Sequence, residues 1–197
     1  MVNTNNSLHL TRKMAIEEAW KKVLNEVSIA TEDPGHPFRN LTLATVDNEG
    51  VPHQRTVILR DFMKSSEFLI YTDSRSAKVK QISQNNSVSL LFYDDQKKLQ
   101  LQVNGVASVI TNGHLHEEHW NNHGRKRARS FTSVLKPGTI LENPEDAYEW
   151  NPEDSSCFCI IQIRAREMEF LQLDGHRHLR GFKWLEDEVQ QHSWIAP

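Results

Sequence analysis

Cysteine is nearly missing from this chain: two in 197 residues, Cys157 and Cys159, one position apart. Residues i and i+2 of a strand share a face but stand too far apart for an easy disulfide. No covalent framework is expected, and a reducing, cytoplasmic compartment is the default. Long apolar runs are absent too; nothing approaches the roughly 18 consecutive residues of a membrane span. The opening Met1-Val2-Asn3-Thr4-Asn5-Asn6 has no basic head followed by an apolar stretch, so no export signal is expected. Eight glycines are scattered rather than clustered, which leaves no Gly-rich dinucleotide loop. There is no internal repeat and no low-complexity tract. A charge excess is also lacking: 23 Lys+Arg against 26 Asp+Glu give a formal −3. That mild acidity argues against general nucleic-acid binding. What is present is an ordinary share of hydrophobic residues, 38%, enough for a core in one domain spanning residues 1–197.

The hydrophobic pattern changes period along the chain. In residues 12–28, Met14, Ala15, Trp20, Val23, Leu24 and Val27 recur at steps near three and four, predicting an amphipathic helix capped by Thr11. Asp33-Pro34-Gly35-His36-Pro37 ends it. From residue 39 the period is two. Strands are expected at 39–46, 51–59, 68–72, 87–93 and 99–110, with a hairpin turn at Asp47-Asn48-Glu49-Gly50 and a polar turn at Lys64-Ser65-Ser66. Residues 74–84 are short, polar and compatible with a helix, and residues 114–130 read as a second helix rich in His and Arg. Loop is expected from 136 to 152, with a helical turn near 145–150. Strands return at 157–163, 167–173 and 181–184. Strands at hairpin spacing exclude a doubly wound parallel sheet. They indicate a mainly β protein with flanking helices, an antiparallel barrel over about residues 39–185.

The segment richest in chemistry runs from Gln54 to Lys78. It carries Arg55-Thr56-Val57-Ile58-Leu59-Arg60 on one strand and Tyr71-Thr72 at the end of the next, then Ser74-Arg75-Ser76-Ala77-Lys78. Cations and hydroxyls converge where a strand gives way to a helix start, a setting that suits a phosphate. A solvated basic turn fits the same spacing.

This ordered set resembles the pyridoxamine 5′-phosphate oxidase-like flavoproteins. The similarity continues through Val88-Ser89-Leu90-Leu91-Phe92 and Leu99-Gln100-Leu101-Gln102-Val103-Asn104-Gly105. It returns in Met168-Glu169-Phe170-Leu171-Gln172, His176-Arg177-His178-Leu179-Arg180 and Trp194-Ile195-Ala196-Pro197. The resemblance implies an antiparallel split β-barrel that forms a homodimer with FMN between the subunits. By position, Arg55 and Lys78 would hold the FMN phosphate with Ser76 and Arg75 nearby. Tyr71 and Thr72 would line the flavin, and the strand through Thr56, Val57, Ile58 and Leu59 would lie against its ring. Gln100 would reach the cofactor from the partner strand, and Arg180 would stand near it. Arg60 would end the cofactor-binding strand, and with His176 and His178 it is also a substrate-side candidate.

Three departures from the family bear on substrate. Leu171 stands where the family's oxidases have a Trp packing near the flavin. His176-Arg177-His178 replaces an Arg-x-His motif. The segment His119-Trp120-Asn121-Asn122-His123-Gly124-Arg125 offers no Tyr/Arg/Ser register for a substrate phosphate. The expectation is therefore an FMN oxidoreductase acting on a small anion, with pyridoxamine 5′-phosphate oxidised weakly or not at all. The competing class is a binding module that holds FMN, haem or a deazaflavin without turnover.

His119 and His123, at i and i+4, have the spacing of a zinc pair. Two histidines need a further ligand, however, and His116-Glu117-Glu118-His119 is not His-Glu-x-x-His; no metal is expected, and a polar helix lining a cleft or interface is the better account. Arg125-Lys126-Arg127-Ala128-Arg129 fits a solvated helix end or an anionic substrate better than nucleic acid. Cys157 and Cys159 read as core packing.

Overall fold

A computed structural model describes residues 10–63, 66–151, 155–185 and 191–197, less the side chains at 127 and 128. The opening Met1 segment and most of the turn at Lys64-Ser65-Ser66 lie outside them. The first helix, α1, runs Ile16–Glu32, four residues later than the periodicity predicts at both ends. Thr11 does not cap it. Ala15 holds the cap position with no side-chain bond, and the Thr11 carbonyl instead accepts from Met14 N in a preceding turn. The physical reason lies in Leu10, which is buried and donates its N–H to Gln172 Oε1, so the chain must turn before the helix begins.

Among the described residues eight strands follow the predicted order closely: β1 Asn40–Val46, β2 Pro52–Met63, β3 Glu67–Asp73, β4 Ser87–Asp94, β5 Leu99–Ile110, β6 Phe158–Gln172, β7 Leu179–Trp184 and β8 Gln191–Trp194. They lie in the order β3-β2-β1-β4-β5-β6-β7-β8, every neighbouring pair antiparallel. A further pairing of β3 with β6 closes the first six into a barrel. Two expected strands, 157–163 and 167–173, are one: Arg164-Ala165-Arg166 continues β6, with a register shift at Asn104/Gly105 of β5 opposite. β8 is an addition to the predicted set.

Alternation explains the interior. Leu41, Leu43, Val57, Leu59, Phe68, Ile70, Leu90, Phe92, Leu101 and Val103 point inward and form the main core. α1 adds Trp20, edge-on to Phe170 at 4.9 Å. The short helix α2, Ala77–Gln84, packs on β1 and β5 with Gln81 and Ile82 buried. The predicted helix over 114–130 breaks into three pieces: α3 His114–His119, a π turn Trp120–Gly124 and a 3-10 stretch Arg125–Ser130. Here packing overrides propensity. Gly124 abuts the Trp120 ring so closely that a Cβ would lie 2.7 Å from it. Trp120, Phe131, Leu69, Tyr71, Phe158 and Ile160 make a second cluster on the outside of β3 and β6. β6 is therefore covered on both faces at its start, which accounts for its unbroken apolar run. Among the described residues no helix is long and apolar enough to cross a membrane.

Candidate functional site

Arg55 lies on β2 with the parity of Val57 and Leu59, so its side chain enters the barrel at the end where α2 packs. One terminal nitrogen, Nη1, donates to Thr45 Oγ1 at 2.6 Å and to the Leu43 carbonyl at 3.3 Å. The other, Nη2, donates to Gln81 Oε1 at 2.9 Å. Thr45 closes the triangle by donating its hydroxyl to the same Gln81 oxygen at 2.6 Å. Lys78, on the first turn of α2, donates to Thr72 Oγ1 at 2.9 Å. Burial, and then the Arg55 charge, push the Lys78 ammonium below its ordinary value, while Cys159 and Asp73 pull the other way. Burial likewise lowers Arg55. Each of the two cations is thus held by neutral oxygens of its own.

Ser76 stands at the N-cap of α2, 4% exposed. Its Oγ is buried with no hydrogen-bond partner among the described residues. An orphaned buried hydroxyl costs about 1–3 kcal/mol. At the start of the helix that carries the half-buried Lys78, it matches a bound anion with several acceptor oxygens, as a phosphate has. FMN's phosphate monoester therefore fits the donor set.

The remaining candidates divide. Val57 and Leu59 are core residues, so only their backbone can face a ring; Thr56 and Ile58 point outward. Arg60 lies with its guanidinium 5.4 Å from the Tyr71 ring centre. Tyr71 is buried, its hydroxyl 2.5 Å from His119 Nδ1. Burial holds His119 below the usual histidine value, against the pull of Asp61 and Glu118. His116 is bonded to the Phe158 carbonyl at 3.0 Å. Arg75 turns from the cradle to grip Asp73 and the carbonyls of Ser133 and Val134. Cys159 is buried and its thiol is pushed up to about 12 by that burial, as core packing requires.

Gln100, Leu171 and Arg180 form a row across β5, β6 and β7. Arg180 pairs with Glu169 at 2.9 Å and reaches the Ala196 carbonyl. His178 Nδ1 accepts from Asp174 N at 3.1 Å, and His176 is exposed. Thr72 sits opposite Cys159, twelve positions before Leu171 on β6, which is about 40 Å of strand. One chain does not bring the row to the cradle. A groove of about 520 Å³ lined by Ala44, Ser89, Asn104, Glu167 and Trp184 shares no residue with either group. Sequence reasoning missed Thr45 and Gln81: Gln81 lies 26 positions from Arg55 and 36 from Thr45, and Thr45, ten positions from Arg55, is an uncharged residue on the neighbouring strand.

The profile of the pyridoxamine 5′-phosphate oxidase FMN-binding domain matches residues 17–111. The pyridoxine/pyridoxamine 5′-phosphate oxidase of Shewanella pealeana is 33% identical over 93% of this chain and 88% of its own length. The Caulobacter vibrioides oxidase is 31% identical over 49% of this chain, and the match spans 38% of that protein. Among solved structures, a pyridoxamine 5′-phosphate oxidase-related, FMN-binding protein of Nostoc punctiforme superposes with a TM-score of 0.76 at 22% identity, covering 96% of this chain and all of that one. PhzG of Burkholderia lata, crystallised with tetrahydrophenazine-1-carboxylic acid, superposes with a TM-score of 0.73 at 16% identity, covering 96% and 98%. The two structures share the barrel; the near full-length Shewanella match shares the sequence as well. This chain belongs to the pyridoxamine 5′-phosphate oxidase family, whose domain binds FMN.

Proposed function

We propose that the protein is an FMN-dependent oxidoreductase that works as a homodimer on a small anionic substrate, with pyridoxamine 5′-phosphate turned over weakly or not at all. The observation that carries the cofactor assignment is the cradle of Arg55, Lys78 and the unpartnered Ser76 hydroxyl. Tyr71, Thr72 and the backbone of β2 from Thr56 to Arg60 would stand beside the flavin. Gln100 and Arg180 would come from the other copy. Bound FMN supplies hydride acceptance from a substrate carbon; the chain's own residues fix the phosphate, cover the ring and orient the substrate.

The substrate half of the proposal rests on what the family's phosphate-binding segment has become. His119 is tied to Tyr71, His116 to a carbonyl, and Arg129 lies over the Trp150 ring at 5.3 Å. Leu171 removes an aromatic contact at the flavin. A pocket without its polar partners loses orders of magnitude in discrimination. Steady-state oxidation of pyridoxamine 5′-phosphate tests this. A kcat/KM near about 10⁴ M⁻¹s⁻¹ or above, the lower end for working enzymes, would overturn it.

The same commitments of His116, His119 and Arg180 to internal partners favour a second reading, a cofactor-holding module without turnover. The absorption spectrum of the purified protein, with its released cofactor weighed by mass spectrometry, separates FMN from haem and deazaflavin. Reduction of the bound flavin by candidate substrates then separates enzyme from module.

A further inference from the structure

Both cations of the cradle are held by neutral acceptors. Arg55 is oriented by a carbonyl, a hydroxyl and an amide oxygen, and Lys78 by a hydroxyl. Asp73, the carboxylate whose field reaches Lys78, is occupied by Arg75, whose Nη2 stands 2.7 Å from its Oδ2. A carboxylate in the place of Gln81 would fix the guanidinium equally well, but it would also cancel the charge that an incoming phosphate needs. Gln81 and Thr45 do the first without the second. Gln81 is 8% exposed and Thr45 fully buried, so water does not compete for either. With these bonds made, the Arg55 Nε–H and the second Nη2 hydrogen have no protein acceptor among the described residues.

We propose that Thr45 and Gln81 are positioning residues for cofactor selection: they lock the Arg55 fork with its charge intact, and so make the site discriminate phosphorylated flavin from riboflavin. The inference rests on the FMN reading above and assigns this discrimination to two residues that touch no ligand. It predicts an asymmetry that a merely structural role would not produce. Thr45→Val and Gln81→Leu should each weaken FMN roughly tenfold, the size of one charge-assisted hydrogen bond, and leave riboflavin affinity within about twofold. Gln81→Glu keeps the acceptor and the fold, yet should weaken FMN more than Gln81→Leu does. Thr45→Ser, which restores the hydroxyl, should recover FMN binding.

The experiment is a flavin-fluorescence titration of the full-length apoprotein with FMN and with riboflavin, for these variants and for Arg55→Ala. Loss of FMN affinity in all but Thr45→Ser, with riboflavin unmoved, is the expected result. Should Arg55→Ala weaken FMN while Gln81→Leu and Gln81→Glu bind it normally, the positioning role is wrong and the cofactor reading stands. Equal losses for FMN and riboflavin in the Gln81 and Thr45 variants would also overturn it, because the residues would then serve the fold alone. If Arg55→Ala binds FMN as tightly as the parent, the cradle itself is misassigned and both readings fall.

Discussion

Glu26 is a carboxylate taken almost wholly out of water on the inner side of α1. Burial alone would raise its pKa, but hydrogen bonds from His36 and Lys97 outweigh burial and leave it lowered. A carboxyl whose folded pKa lies below its unfolded one contributes stability above the ordinary carboxylate value, and that stability is lost as the pH falls through the folded value. Glu26→Gln should therefore cost about 1–3 kcal/mol near neutral pH and flatten the acid limb of the stability curve. Urea unfolding of both proteins at neutral and acid pH checks it; parallel curves would show the charge to be idle. Lys78 offers the complementary case at the site. Lys78→Ala should weaken FMN by about 1–3 kcal/mol in a fluorescence titration, the scale for a charge-assisted contact. Unchanged affinity would remove it from the phosphate set. In the sequence, cations and hydroxyls mark only the stretch from Gln54 to Lys78, and it is the family resemblance that points within it to Arg55, Ser76 and Lys78. Neither points to Thr45 and Gln81: an isolated Thr in a strand and a Gln in a polar helix look like surface until the barrel folds them onto one guanidinium.

Strand and helix show where local pattern suffices. In β1, β2, β4 and β5 the period-two alternation places every boundary within about four residues, because each strand has one face in the core; β3, covered on both faces, shows instead as a short apolar run. It fails where tertiary contacts decide. Arg164 and Arg166 look like a break, yet β6 runs through them. Opposite them Gly105 lets the backbones close in: a Cβ there would meet the Arg164 carbonyl oxygen at 2.3 Å. Gly105→Ala should lower stability by about 1–3 kcal/mol through overpacking, read as a fall in the thermal midpoint; an unchanged midpoint would mean that the sheet absorbs the methyl. The loop from 134 to 149 belongs at this scale too. Its base is closed by Ser133 opposite Trp150 and by Val134 N donating to the Glu149 carbonyl. Arg75 pins that base to β3. Arg75→Ala should speed limited proteolysis between 134 and 149 while the barrel stays intact, and an unaltered cleavage rate would show that the pin carries no load.

At the scale of the molecule, the two halves of the proposed site stand at opposite ends of β6. Ile58, Leu91 and Tyr93, 37%, 38% and 43% exposed, share the outer sheet face with Gln100. An apolar-flecked sheet face leading to an incomplete site is what a second copy would cover, and a stable pair buries upwards of about 1,000 Å². Sedimentation equilibrium should give a dimer; a stable, FMN-saturated monomer would refute that arrangement.

β6 also sets when the molecule can exist during synthesis. It pairs with β3, β5 and β7, so the barrel's last stave is made some eighty-five positions after the strand it must meet on one side. Until that stave leaves the ribosome, β3 and β5 present open edges, each a template for pairing with another chain. Nascent chains halted before residue 158 should thus stay protease-sensitive and engage chaperones, and protection should arrive abruptly once residue 172 is clear of the exit tunnel. Gradual protection from β1 onward would show that the open sheet is stable by itself.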